Sequence, residues 1–321
     1  MQISALFFNI EVTHRLHIFS KVRAKLLGIT LVCIGNLIAL LGTGLSFADE
    51  HSSLRFSGEQ AKLEHIQKWI NKNSDNGQLK QGAQPVSRLT AEFLIQVRAL
   101  EAAGFNFNYE LIPSPNWART SRQAAQNQID LSVESYWVDS PNIDHSVFWL
   151  SEAVLKQGET QVGLFTYENN HKALAAKNLD DVRKLKHVTV KTWHADINTI
   201  EAYNPIALQK VDSFEAMIRV LKRGRADVGL VEFFGEPDFR HNHFGTIIQA
   251  IPNMKVGLLD ERVFAVSKQH PQSKQILEAL NRGISLLRKN GELKKMLSQA
   301  GYYPKEVENW PYINLGTKAA Q

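Results

Sequence analysis

Cysteine is nearly absent from this sequence. Its 321 residues hold one, Cys33, inside an apolar run near the N terminus. Beyond that run the chain has no thiol, so thiolate catalysis and disulfide bracing are excluded there. A hydrophobic core must hold the fold, and the chain is long enough to build one large or two medium domains. Also missing are a P-loop, an H-E-x-x-H helix and a G-x-S-x-G elbow, and no segment is low in complexity. Charge of one sign is scarce too. Lys and Arg number 37 against 32 Asp and Glu, net +5. Residues 1–48 hold Arg15, Lys21, Arg23 and Lys25 against Glu11 alone, so the remainder carries 33 basic and 31 acidic residues, net about +2. A chain so near neutrality lacks the field that grips a nucleic-acid backbone. Its two basic stretches, "WARTSRQAAQNQID" (117–130) and "MIRVLKRGRAD" (217–227), therefore read as solvated helix ends, where the dipole favours cations.

What is present begins with a leader. Basic residues 15–25 precede an apolar run from Leu26 to Leu45, and "SFADE" follows with Ser46 and Ala48 at the small-residue positions. This is the pattern of a secretory signal peptide, with removal after Ala48 and export to the periplasm expected. The run approaches the length of a membrane span, so a retained anchor is the alternative. Val32 and Thr30 stand where a lipidation signal needs a small residue and a leucine, so Cys33 is not read as a lipid site.

The rest alternates strands with helices, which predicts an α/β fold with a largely parallel sheet. "SLRFSG" (53–58) reads as the first strand. A helix near 60–71 presents Leu63, Ile66, Trp69 and Ile70 on one face. A second, 87–103, has Leu89, Phe93, Leu94, Val97 and Leu100 as its stripe and Gly104 as its stop. "NFNYELIP", "IDLSVES", "HVTVKTW", "IALQKV" and "ADVGLVEFF" read as strands, "MKVGLLDERVFAVSK" holds a returning strand, and two helices close the chain. "HNH" at 241–243 lacks the spacing of a nuclease motif. Two histidines on one strand face would suit a surface metal, but with no third ligand the segment reads as an exposed loop.

The order of these pieces resembles the type II periplasmic solute-binding proteins of the amino-acid-binding group. The resemblance rests on "PSPNWARTSRQAAQNQID", "WLSEAV", "NLDDVRKLKHVTV", "AMIRVLKRGRADVGLVE" and "ALNRGISLLRKNGELKKML". It implies a two-lobed α/β fold, with mixed sheets flanked by helices and a central ligand cleft. The first lobe would take 49–160, the second 161–256, and 257–321 would return to the first and end in helices. It also implies a monomer that captures a small polar solute, needs no cofactor, and hands the solute to a separate inner-membrane permease and ATPase or to a sensor. The alternatives are a dehydratase-like periplasmic enzyme on the same scaffold, or a receptor-type accessory protein held by its leader.

In open α/β sheets ligands sit beyond the carboxyl ends of strands. The candidates there are Trp117, Tyr136, Trp137 and Trp193 as flat walls, Arg119 for an anion, Asn198 and Thr199 at a helix start, and Glu134 and Glu232 for an amine. Phe233 follows Glu232 as a further wall residue, with Phe234 and Glu236 just after. Asp196 reads as a helix cap. One departure matters: the arginine that amino-acid binders carry after the "IDLSVES" strand is missing from "YWVDSPNIDHS", so the resemblance does not imply an ordinary α-amino acid as the ligand.

Overall fold

The computed structural model describes residues 52–75, 78–141, 143–233 and 238–315. The expected leader and the candidates Phe234 and Glu236 lie outside these residues. The described residues form one compact unit, built as two lobes of sheet and helix.

The first lobe carries a five-stranded sheet in the order Phe107–Pro113, Ser52–Gly58, Leu131–Ser132, Ala265–Ser267, Phe148–Leu150. The first three run parallel, and the returning Ala265–Ser267 strand is antiparallel to both neighbours. Helices Gln60–Asn73, Arg88–Ala102, Ser273–Lys289 and Glu292–Gln299 cover it. The helical stripes foreseen from spacing are what they bury: Leu63, Ile66, Trp69 and Ile70 on one, Phe93, Leu94, Val97 and Leu100 on the next. The second starts at a capping box, Ser87 accepting from Thr90 N and Thr90 returning the favour to the cap backbone. It stops before Gly104, whose φ of 74° is the left-handed turn glycine adopts cheaply.

The second lobe departs from the expected parallel sheet. Its larger sheet runs Gly229–Glu232, Gln161–Tyr167, Thr246–Ala250, Arg240–His243, and every pair is antiparallel. A smaller parallel pair, Lys186–Val190 with Ala207–Val211, lies beside it. The cause is a hairpin that the sequence reading took for a loop. His243 pairs with Thr246, and Phe244 and Gly245 between them have φ of 51° and 68°, the two left-handed residues of a tight two-residue turn. The "HNH" segment is thus the Arg240–His243 edge strand, and His241 is buried and stacked on Phe165, ring centroids 5.7 Å apart.

The chain crosses to the second lobe over 151–160 and returns over 257–264, the two spans bridged at Leu155 and Arg262, and Tyr136–Trp137 pairs antiparallel to Arg262–Val263 beside them. After the Glu292–Gln299 helix, Tyr302 still packs in the first-lobe core, but Val307 and Trp310 pack in the second. The buried Lys255 ammonium fastens this tail, donating to Val307 O at 2.8 Å and Glu308 O at 3.1 Å, and lies over the Tyr312 ring. Leu315 packs against Gly158 and Gly257, where a Cβ would come within 2.7 Å of its side chain.

Among the described residues no helix is long and apolar enough to cross a membrane.

Candidate functional site

A cavity of about 440 Å³ opens where the crossover meets the strand ends of the second lobe. Trp137, Ser140 and Arg262 supply its crossover side. Residues 192–196, Phe214, residues 230–232 and Val162 supply the rest, with Leu258 closing the wall. This is the size of pocket that holds a small molecule.

Each wall follows from local structure. The Lys186–Val190 strand feeds the His194–Ala202 helix, and Trp193 sits at the helix start. Phe214 opens the next helix, which Ser213 caps by accepting from Ala216 N. The Trp193 and Phe214 rings stack at 6.0 Å and 29°. Glu232 ends the Gly229–Glu232 strand and pairs with Arg88 of the first lobe. Alternation along that strand turns the next side chain the other way.

Arg262 is the best-anchored charge. Its Nε donates to Ser135 Oγ at 2.7 Å, one Nη donates to Ser135 O at 2.9 Å, and that Nη lies 3.2 Å from Glu92. The guanidinium lies 4.9 Å from the centre of the Trp137 ring. Glu92 in turn accepts from Ser135 N at 2.8 Å and from the Tyr302 hydroxyl. Burial opposes the Arg262 charge, but Glu92 and more distant acids outweigh it and hold its pKa above the ordinary value.

Asp196 is the opposite case. It lines the cavity from the first turn of its helix, and among the described residues no basic side chain pairs with it. Burial, with the Glu232 charge second, pushes its pKa up to about 7. Its helix ends at Tyr203, whose hydroxyl meets His187 Nδ1 at 3.2 Å. His187 Nε2 meets the carbonyl of Val182, also at 3.2 Å. A carbonyl only accepts, so Nε2 carries the proton and Nδ1 accepts from Tyr203. Burial holds His187 neutral, with its pKa down to about 4.

Of the residues chosen from sequence, Trp137, Trp193 and Glu232 line this cavity. Trp117 and Glu134 border a shallow dent of about 10 Å³ on the first lobe. There Glu134 is held by Lys62 at 2.8 Å, and Trp117 leans on the buried Tyr136 with ring centroids 4.5 Å apart. Arg119 and Asn198 are exposed and do not line the cavity. Thr199 is fully buried, its Oγ1 donating to Ala195 O and accepting from Leu259 N, which ties helix to crossover. Phe233 lies in the second-lobe core against Phe165, Phe239 and Trp310, because strand alternation points it away from Glu232.

Asp196 does not cap its helix: the cap position is Trp193, with no side-chain cap bond. Sequence reasoning passed over Arg262 and Phe214. Arg262 lies on the return strand, more than a hundred residues from its register partner Trp137, so only strand pairing brings it to the cleft. The signal for Phe214 was its place just after a Ser cap, at the end of a strand. Among the described residues no three His, Cys, Asp or Glu side chains stand together as a metal site.

No family model matches the chain, and no curated protein sequence matches it. Solved structures show distant likeness. The second substrate-binding domain of GlnP from Lactococcus lactis, in an open conformation, is 14% identical, with 78% of this chain and 96% of that one covered and a TM-score of 0.46. The L-cystine solute receptor of Neisseria gonorrhoeae, unliganded and open, is 14% identical over 84% of this chain and 97% of that one, TM-score 0.45. The amino acid ABC transporter substrate-binding protein AbpA of Streptococcus pneumoniae, bound to L-arginine, is 16% identical over 78% and 94%, TM-score 0.40.

Proposed function

We propose that this protein is a solute-binding protein: it captures a small polar molecule in the cleft between its lobes and presents it to a separate membrane transporter or sensor. One observation carries the reading. The 440 Å³ cavity lies where the crossover strands meet strand ends, with aromatic walls and a few convergent charges, the usual make-up of a small-molecule site. The Arg88–Glu232 pair joins first lobe to second at its rim, where a hinge motion would open and close it. In this reading the chain works in the periplasm as a monomer, and its leader is removed.

The test is a thermal-shift screen against amino acids, polyamines, small carboxylates and sugars. A ligand at a hundred times its Kd adds about 2.7 kcal/mol. Trp193→Ala and Trp137→Ala should each remove that gain while leaving the ligand-free protein folded. A screen in which no class raises the midpoint defeats the proposal.

A second reading rests on Asp196. A carboxyl that titrates at about 7 inside a cleft is suited to general acid–base work, so an enzyme on the same scaffold is the competitor. Following any hit by NMR for hours separates the two: retention without change supports capture, and conversion supports catalysis.

A further inference from the structure

Four charged side chains reach the cavity or its rim: Arg262, Glu232, Arg88 and Asp196. Three are already answered within the protein. Arg262 has Glu92 behind it and spends its Nε and one Nη on Ser135. Glu232 and Arg88 have each other. Asp196 has no cation facing it among the described residues. His194 stands two positions before it on the same helix, and the Tyr203 hydroxyl at the end of that helix is turned to His187. A half-buried carboxylate without a counter-charge is costly to ionise. Here the missing positive charge can come only from the cavity side.

The apolar walls pair flat rings with aliphatic Val162, Leu230, Val231 and Leu258. Trp193 and Phe214 make a stacked pair, and the row continues outward, Phe214 meeting His243 edge-on at 5.0 Å and Phe244 at 6.5 Å. Trp137 forms the facing wall, with the Arg262 guanidinium against its ring. Such faces attract both flat apolar bodies and cations.

We propose that the cleft takes a protonated organic amine carrying a flat apolar body, the ammonium group seated at Asp196 within reach of Glu232 and the body stacked on Trp193 and Phe214. This rests on the solute-binding reading and narrows it. A ligand carboxylate is not required, because the one cavity arginine is already matched by Glu92. Seating the ammonium favours the ionised form of Asp196, so binding near neutral pH releases a proton.

The experiment is titration calorimetry of the full chain with 2-phenylethylamine, tryptamine and 3-phenylpropionate. The amines should bind and the acid should not. With Asp196 titrating at about 7, amine affinity should fall about tenfold from pH 8 to pH 6. Asp196→Asn should weaken the amines at least tenfold, abolish that pH dependence and keep the protein folded. Phe214→Leu should weaken the amines and leave the pH dependence intact. Equal binding of the acid, failure of both amines, or an Asp196→Asn affinity equal to wild type overturns the amine assignment. If a sugar or a carboxylate then binds, solute capture stands; if no class of solute binds, capture falls as well.

Discussion

Replacing Gly283 with alanine sets two rules against each other. Gly283 lies in the Ser273–Lys289 helix, where alanine is favoured over glycine by about 1 kcal/mol. An exposed site would therefore gain stability. This site is where the helix crosses Arg88–Ala102, and a Cβ there would lie 1.8 Å from the carbonyl oxygen of Ala99, 2.3 Å from its carbonyl carbon and 2.5 Å from its Cα. All three are backbone atoms, so no rotamer change relieves the clash. The helices must part by more than about 1 Å, which forfeits a quarter to a half of each dispersion contact across the crossing. Overpacking of this kind costs about 1–3 kcal/mol, sometimes more. Since the backbone itself is struck, the upper end applies, and subtracting the propensity gain leaves a loss of about 2 kcal/mol. Urea unfolding followed by tryptophan fluorescence would show the midpoint falling. A Gly283→Ala protein as stable as wild type, or more stable, would mean the two helices do not touch at this point.

Stability should also depend on pH through Asp196. Its folded pKa of about 7 exceeds the unfolded carboxyl value, so the folded state holds the extra proton between roughly pH 4 and 7. That contribution is full below about pH 4 and is lost as pH rises to 7, at no more than about 1.4 kcal/mol per unit. Asp196→Asn should therefore gain on wild type between pH 5 and pH 8 in urea melts; a difference in midpoint that is the same at both pH values would refute the burial argument. His187 acts in the opposite sense. Its folded pKa of about 4 lies below the unfolded value, so the unfolded chain binds the extra proton and stability rises from pH 4 to 6.5. Lys255→Met should cost about 1–3 kcal/mol by leaving the carbonyls of Val307 and Glu308 without their donor; hydrogen exchange at Trp310 and Ile313 should quicken, and unchanged exchange would count against the anchor. Arg88→Gln should shift the midpoint by less than about 1 kcal/mol, because its pair with Glu232 is partly exposed, and the difference should vanish in 1 M salt.

Helices were legible where an apolar stripe met a stop signal. Leu63, Ile66, Trp69 and Ile70 recur at helical spacing, and Gly104 ends the next helix at a conformation that only glycine adopts cheaply. The hairpin around Phe244 was hidden because phenylalanine at a left-handed position is uncommon, so Phe244-Gly245 does not resemble the usual Asn-Gly turn. Proximity to strand ends led to Trp137, Trp193 and Glu232, which line the cavity, since topology fixes which loops face it. The same rule admitted Phe233 and Thr199, which a strand's alternation and a helix's inner face turn inward. Arg262 depends on a strand pairing across more than a hundred residues, and no local pattern encodes that. The route of residues 305–315 was equally silent, because Val307, Trp310 and Tyr312 follow neither a helical nor a strand period.

That route has a mechanical consequence. Two covalent spans between bodies permit both swinging and twisting. Here a third tether leaves the first lobe near Tyr302, is pinned to the second by Lys255, and wedges Leu315 against Gly158 and Gly257 beside the other two. Three pins brought together at one edge leave rotation about that edge as the soft mode. The jaw can gape, while shear of one half across the other would first have to tear the tail from its seat.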